Sequence, residues 1–329
     1  MEWYHILLIV IVFLILIVLI TSYICFRMTC YVKRSKELKE YSFPEGSMYE
    51  PFTGEMIEAV HDALAMPHEK FQITSFDGLK LQGYYFEYHK DAPIEILFHG
   101  YKGEGLRDLA IGIKRCHRAE HSVLLVDQRA SGASEGKVLS FGINERKDCL
   151  SWVDFAIKHF GDDVKIILSG VSMGAGTVVM ASAMDLPKNV IGILADCGYD
   201  SPKNIIKKCI TEMKLPANFF YPFVRLGNII FGHFDLDSDS PIEACKKTNL
   251  PIIFFHGDKD YFVPTAMSVK MYEACNSRKK LVLIKDAGHG LAYLFDKDYY
   301  VQEVIDFFNK EKKMQINRRW LICIFYLLY

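Results

Sequence analysis

The pattern of apolar and polar positions opens with an unbroken apolar run. From Ile6 to Ile20 every residue is Ile, Leu, Val or Phe, and a weakly polar continuation reaches Phe26. That length meets the ~20 residues a helix needs to cross a bilayer. No Lys or Arg lies between Met1 and His5 and no small-x-small cleavage signal follows, so the run reads as a retained anchor rather than a signal peptide. Arg27, Lys33, Arg34, Lys36 and Lys39 crowd its C-terminal flank, whereas Glu2 is the one formal side-chain charge before it. By the positive-inside tendency the remainder of the chain is expected on the cytoplasmic side of the cell membrane, behind a single span.

Beyond this charged linker the periodicity changes. Phe71 to Phe76 and Leu79 to Phe86 flank Asp77-Gly78 and predict a hairpin with a tight turn. Short apolar runs then alternate with longer helical patterns. Ile94 to Phe98 precedes a helix over Leu106 to Glu120, Ser122 to Val126 precedes one over Ile143 to Phe160, and Val164 to Leu168 precedes one ending near Leu186. Val190 to Ala195, Ile252 to Phe255 and Leu281 to Ile284 continue the series. This cadence predicts an α/β fold with a mostly parallel sheet covered by helices on both faces. In the helix over Ile143 to Phe160, the spacing sets Leu150, Val153, Ile157 and Phe160 on a buried face and leaves Glu145, Asp148 and Lys158 to water.

Between the strands ending near Ala195 and beginning at Ile252 lies a segment rich in aromatics, among them Phe219, Phe220, Tyr221, Phe223, Phe231 and Phe234. It is too long for a plain connection and is expected to form a small helical cap, about residues 198–248, that helps shape a substrate pocket. The organisation expected is therefore an anchor over residues 1–27, a juxtamembrane lead-in over 28–70, a main domain over 71–312 and an apolar tail over 313–329. Trp320 to Tyr329 is apolar throughout but too short to span, which favours an interfacial position.

Composition narrows the function. The 39 basic and 40 acidic side chains give a net charge of -1, which leaves no basic excess for a phosphate backbone and argues against nucleic acid as a partner. Nine cysteines, scattered from Cys25 to Cys323 without a C-x-x-C pair, fit neither a disulfide framework nor a zinc site. No phosphate-loop pattern occurs, and Gly103-Glu104-Gly105 lacks the third glycine of a dinucleotide fingerprint, so no cofactor is implied.

The candidate chemistry sits at strand ends. Gly170-Val171-Ser172-Met173-Gly174 follows an apolar strand directly and opens a helix. A serine becomes a nucleophile only when it is held out from the backbone near a base, and a sharp strand-to-helix turn does this while Gly170 and Gly174 relieve the crowding. The base and its orienting acid are found downstream. One strand ends in His256-Gly257-Asp258-Lys259-Asp260, and the next in Lys285-Asp286-Ala287-Gly288-His289-Gly290. His289 is the candidate base, and on residue type alone Asp258 and Asp260 both qualify as the acid.

These residues, with Leu97-Phe98-His99-Gly100-Tyr101 and Asp127-Gln128-Arg129-Ala130-Ser131-Gly132-Ala133-Ser134-Glu135-Gly136, resemble the α/β-hydrolase family over about Phe71 to Phe308. The resemblance is greatest to small membrane-anchored or cytoplasmic esterases and acyl hydrolases, with prolyl-peptidase-like members as neighbours. It implies Ser172 as nucleophile, Asp260 in the H-G-x-x-D-x-x-V-P pattern as acid, His289 as base, and the backbone N–H groups of Tyr101 and Met173 as oxyanion hole. His99 and Gly100 match the family's oxyanion-loop His-Gly. Ala130 stands where that stretch usually has Gly, and no His-Gly-Gly-Gly run is present.

His99, His256 and Asp258 also have the donor types of a metal site, but no third well-spaced ligand joins the histidines, and packed turn residues are the expectation. Asp127 and Arg129 are read as a structural pair. The resulting expectation is a membrane-anchored serine hydrolase that cleaves a small acyl ester, thioester or lipid-like substrate through an acyl-enzyme, without metal or cofactor. The alternatives are a serine peptidase of the prolyl-peptidase-like type and a catalytically silent membrane-tethered binding protein.

Overall fold

A run with no polar alternate forms a strand only where both faces are covered. The structure, a computed structural model, describes residues 2–33 and 46–308. The basic residues Arg34, Lys36 and Lys39, Cys323 and the tail Trp320 to Tyr329 lie outside the described residues. Strands β1 (Glu69–Thr74), β2 (Lys80–Phe86), β3 (Ile94–Phe98), β4 (Ser122–Val126), β5 (Ile166–Val171), β6 (Val190–Asp196), β7 (Ile252–Gly257) and β8 (Lys279–Ile284) build one 8-stranded sheet. Its order is β1-β2-β4-β3-β5-β6-β7-β8. The β1-β2 hairpin and the β2-β4 pair are antiparallel, and every neighbour from β4 to β8 is parallel.

The helices are α1 (Trp3–Thr29), α2 (Glu50–Ala65), α3 (Gly105–Arg118), α4 (Glu145–Phe160), α5 (Met173–Ala181), α6 (Pro202–Glu212), α7 (Ala217–Gly227), α8 (Pro241–Lys247), α9 (Ala266–Ala274) and α10 (Ala292–Phe295). A π-helical turn, Asn228–Gly232, follows α7, and helix also covers 297–308. Because side chains alternate across a strand, Ile96, Leu168 and Phe254 pack with α4 and α5 on one face of the sheet. Leu97 packs with α2 and α3 on the other face, where Ile167 and Phe255 pack with the 297–308 helix.

Three expectations change. Glu145 and Asp148 are buried rather than solvated: Glu145 accepts hydrogen bonds from the Ser140 and Gly142 N–H groups at 2.8 Å, and Asp148 holds Arg129. Loops folded over the start of α4 supply partners that a helical wheel does not show. Residues 50–65, read as part of the lead-in, form α2, whose Ala59, Val60 and Ala63 are buried against Leu109 and Ile113 of α3. The third concerns the aromatic segment. Its helix α7 packs against α1, where Ser22, Phe26 and Cys30 are buried at helical spacing. A Cβ at Gly227 would lie 2.1 Å from the Ser22 carbonyl oxygen, so glycine is what permits the two helices to approach.

Helix α1 is long and apolar enough to cross a membrane, and most of its length is exposed. Its last turns nevertheless belong to the folded unit. Phe26 and Cys30 join the main hydrophobic core, and the chain leaving α1 pairs with the 137–139 segment through Val32 N to Lys137 O at 2.8 Å and Leu139 N to Cys30 O at 2.9 Å.

Candidate active site

The turn from β5 into α5 places Ser172 at φ 56° and ψ -114°, a left-handed conformation that costs a non-glycine residue energy. The glycines around it are sterically required. A Cβ on Gly170 would meet the Gly174 carbonyl carbon at 2.3 Å, and one on Gly174 would meet the Phe98 oxygen at 2.0 Å. Ser172 N donates to Asp196 O at 2.8 Å, which ties the strained residue to the end of β6.

From this turn runs a relay of hydrogen bonds. Ser172 Oγ lies 2.9 Å from His289 Nε2, and His289 Nδ1 lies 2.7 Å from Asp260 Oδ2. Asp260 is held on every side. Its Oδ1 accepts from Phe262 N at 2.9 Å and Val263 N at 2.8 Å, and its Oδ2 accepts a second ring N–H, that of His256 Nε2, at 3.1 Å. Burial pushes the Asp260 carboxyl up, but the hydrogen bonds and charges of His256 and His289 outweigh it and hold the group well below the usual carboxylate range. Asp258 faces away, accepting from Asp286 N at 2.6 Å.

His256 contributes more than a packed turn residue. Its Nδ1 accepts from Ser268 Oγ at 2.7 Å, which leaves the Nε2 proton for Asp260 and the Val263 carbonyl. His99 is buried, with Nε2 accepting from Gln128 N at 3.0 Å and Nδ1 donating to Gly100 O at 2.8 Å. Both histidines are thereby satisfied by protein groups. Cys197, Asp260 and His289 have ligand atoms within 4.8 Å of one another. Burial holds the Cys197 thiol protonated, the opposite of what a metal-binding thiolate needs, and Asp260 and His289 are already engaged with each other.

A cavity of about 410 Å³ opens onto Ser172 and His289, lined also by Tyr49, Met56, Tyr101 and Phe262. Helices α2 and α3 contribute Met56 and Arg107 to its lining, whereas residues 198–248 reach its wall through Lys208, whose ammonium lies 5.2 Å from the Phe262 ring. Tyr49 donates its hydroxyl to the His289 carbonyl at 3.0 Å, and the Phe262 ring stands edge-on to the imidazole at 5.0 Å. The His99-Gly100-Tyr101 backbone passes close to the serine: a Cβ on Gly100 would be 3.5 Å from Ser172 Cβ. Met173 opens α5, and its N–H is among the helix-start donors that have no partner within the helix.

Asp127 and Arg129 do not pair with each other. Asp127 accepts from Gly105 N at 2.8 Å and Ala133 N at 2.9 Å, while Arg129 grips Asp148 at 2.7 and 2.8 Å and Asp77 at 2.9 and 3.1 Å. Each fixes one side of the loop after β4. Ala130 between them is left-handed, at φ 63°, at the position where glycine was the expectation.

Asp196 belongs to none of the motifs that mark the site in the sequence. It is buried at the end of β6, with Oδ2 accepting from Tyr300 Oη at 2.9 Å and Oδ1 without a partner. Burial raises its carboxyl to about 6 against the opposing hydrogen bond from Tyr300. The signal available in the sequence was a lone Asp closing an otherwise apolar strand.

No family model matches the chain. An uncharacterised Bacillus subtilis protein, YqkD, is 25% identical over 251 residues, covering 74% of this chain and 81% of that one. Among solved structures, the Pyrococcus furiosus esterase Pf2001 superposes with a TM-score of 0.63 at 19% identity, covering 86% of this chain and 98% of that one. The Penicillium α/β hydrolase GrgF does so at 0.61 and 19%, covering 74% and 99%. A Pyrococcus horikoshii acylaminoacyl peptidase reaches 0.52 at 16%, covering 72% and 40%.

Proposed function

Because the chain has the α/β-hydrolase fold, we propose that it is a membrane-anchored serine hydrolase that cleaves carboxylic esters or thioesters through an acyl-enzyme. The observation that carries this reading is the hydrogen-bonded line from Ser172 through His289 to Asp260, rising from a strained turn into an open cavity.

In the reading, Ser172 Oγ attacks the acyl carbon while His289 Nε2 takes the hydroxyl proton. The Asp260 carboxylate holds Nδ1–H, fixing the ring's tautomer and offsetting the positive charge that forms on the imidazole. The N–H groups of Tyr101 and Met173 meet the developing oxyanion, each donor being worth ~2.7 to 4 kcal/mol in such sites. His289 then returns its proton to the leaving alkoxide or thiolate. In the second half it removes a proton from water, which attacks the acyl-serine; as the carboxylic acid leaves, His289 returns that proton to Ser172 Oγ and the free serine is restored. Ionised Asp260 suits this role, since protonation would remove the acceptor for Nδ1–H.

Ester chemistry fits the cavity better than peptide-end recognition. Asp108 is the one acid among the lining residues, and its oxygens are taken by Arg107 Nε at 2.5 Å, Arg107 Nη2 at 3.0 Å and Glu104 N at 3.0 Å. Among the described lining residues, that leaves no carboxylate free to hold a peptide amino terminus. Helix α1, with basic residues after it and Glu2 before it, is read as a span that leaves the catalytic unit on the cytoplasmic side. Pre-steady-state hydrolysis of p-nitrophenyl esters and acyl thioesters by the full-length chain tests the proposal. The expected result is a burst of leaving group followed by slower turnover. A folded chain that hydrolyses neither class would leave the serine peptidase and the tethered binding protein as the readings.

A further inference from the structure

The membrane level can be located along α1 itself. Trp3 and Tyr4 stand at one end of the apolar stretch, and Tyr23 stands near the other, followed by Arg27. Aromatic residues favour the bilayer–water interface at both ends of a span. From Trp3 to Tyr23 the helix rises about 30 Å, which matches the hydrocarbon thickness of a bilayer. Tyr23 therefore marks the interface on the side where the folded unit lies.

What packs beside Tyr23 is then held at that depth. The Phe231 ring, in the π-helical turn, lies 5.1 Å from the Tyr23 ring and 6.1 Å from that of Phe26. The same turn exposes Ile229 (43%) and Ile230 (38%), and α7 exposes Phe219 (61%). Gly227 and Phe231 seat α7 and this turn directly beside α1, on an element that does not line the cavity at Ser172, and Ile229 borders a separate cleft whose walls include Lys203, Lys207 and Arg225. The cavity is nevertheless tied to the same helix: Tyr101, in its wall, donates its hydroxyl to Thr29 O at 2.6 Å. Thr29 lies six residues beyond Tyr23, about 9 Å further along the axis.

We propose that Phe219, Ile229 and Ile230 form a membrane-docking surface that inserts into the leaflet where α1 emerges, and that with the Tyr101–Thr29 bond it holds the catalytic cavity at headgroup depth, so that the substrate is an acyl chain resident in that leaflet. The inference rests on α1 being a span and deepens the hydrolase reading by naming where the substrate comes from. Two contacts fix the arrangement from independent sides. Gly227 against Ser22 sets the distance of α7 from the anchor, and Tyr101 against Thr29 sets the cavity wall against the anchor's end. The chain is thus a unit docked on its own anchor, rather than one swinging on a linker.

The test uses the full-length chain in phosphatidylcholine vesicles. Ile229→Trp and Phe219→Trp are compared with the parent protein, which supplies the background of its own tryptophans, and with Phe76→Trp on the hairpin turn as a water-exposed control. The added emission at 229 and 219 is expected to be quenched by lipids brominated on the upper acyl chain and shielded from acrylamide, whereas position 76 shows the reverse. Quenching at 229 by acrylamide equal to that at 76 would overturn the docking surface. Shielding from both quenchers would also overturn it and assign the patch to a protein contact.

A second readout separates this proposal from the hydrolase reading. Changing Phe219, Ile229 and Ile230 together to Glu is expected to lower the rate on a long-chain ester embedded in the vesicles about tenfold, given the cost of charge at that depth. Hydrolysis of a soluble short-chain ester and labelling by a fluorophosphonate are expected to stay unchanged. Equal rates on the embedded ester would contradict the proposal. A parent protein that hydrolyses neither ester defeats the hydrolase reading, and the tryptophan quenching still decides whether the surface docks.

Discussion

His289 Nδ1 meets Asp260 Oδ2 at 2.7 Å, and the same oxygen accepts a second ring N–H from His256 at 3.1 Å. Asp260 thus presents a directed lone pair to His289, because its other oxygen is fixed by two backbone N–H groups. Replacing Asp260 with Asn leaves the shape but turns the acceptor into an amide and permits the wrong imidazole tautomer. We expect Asp260→Asn to lower kcat about 10⁴-fold with little change in KM. Asp258→Asn, which alters only the turn to Asp286, is expected to stay near the parent rate. Steady-state kinetics of both variants check this, and equal losses would remove Asp260 from its role.

Ala130 at φ 63° carries a conformational cost that glycine would not. Ala130→Gly is expected to stabilise the protein by about 1 kcal/mol, after the larger backbone entropy of glycine in the unfolded chain is set against the relief of strain. Urea unfolding reads the difference. A destabilised variant would mean that the loop pinned by Asp127 and Arg129 tolerates the left-handed alanine without strain.

Asp196 gives a pH signature. Unfolded, its carboxyl titrates near the ordinary ~3.9; folded, burial raises it to about 6. Between those values the folded state binds the extra proton, so this group favours folding most at low pH, and its contribution is lost as pH rises through about 6. Asp196→Asn removes the charge that must otherwise be buried with one oxygen unpaired. The melting temperature of the variant is expected to exceed that of the parent by more at pH 7.5 than at pH 4.5, measured by circular dichroism. A gap independent of pH would show that Asp196 does not titrate in this range.

Glu95 works in the opposite direction. It is buried in β3, with Oε2 2.6 Å from Arg115 and Oε1 2.7 Å from His121. Burial pushes its carboxyl up, but the Arg115 charge and the His121 contact outweigh this and hold it well below the usual range. Its contribution to stability is therefore present above the unfolded value and fades as pH falls. Glu95→Gln leaves the Arg115 guanidinium buried without its counter-charge and is expected to cost about 3 to 5 kcal/mol. Denaturant midpoints measure this, and a loss under about 1 kcal/mol would mean that water or Ser169 replaces the partner.

How far the sequence reveals this arrangement depends on the range of each signal. The strands from Ile94 to Ile284 are legible because a short apolar run bounded by turn residues is a local pattern. Ser172 is legible because Gly170 and Gly174 answer a clash that exists within five residues of chain. The choice of Asp260 over Asp258 needed more: the backbone N–H groups of Phe262 and Val263 fold back to direct one carboxylate and leave the other to Asp286. Helix α2 carries a helical stripe in Phe52, Met56, Val60 and Ala63, but small residues such as Gly54 and Ala59 weaken it beside the anchor. The packing of the aromatic segment on α1 is not legible, because the two lie some two hundred positions apart in the chain and apolar character does not say which apolar surface will cover it.

The proposed chemistry requires Ser172 to be an activated nucleophile. Its most direct test is labelling of the full-length chain in membranes with a fluorophosphonate, comparing the parent with Ser172→Ala, because the probe phosphonylates an activated serine whatever the natural substrate. Labelling of the parent that disappears in Ser172→Ala, with the adduct mapped to Ser172 by mass spectrometry, is the predicted result. A folded parent that takes no label, or a Ser172→Ala variant that labels equally, would contradict it.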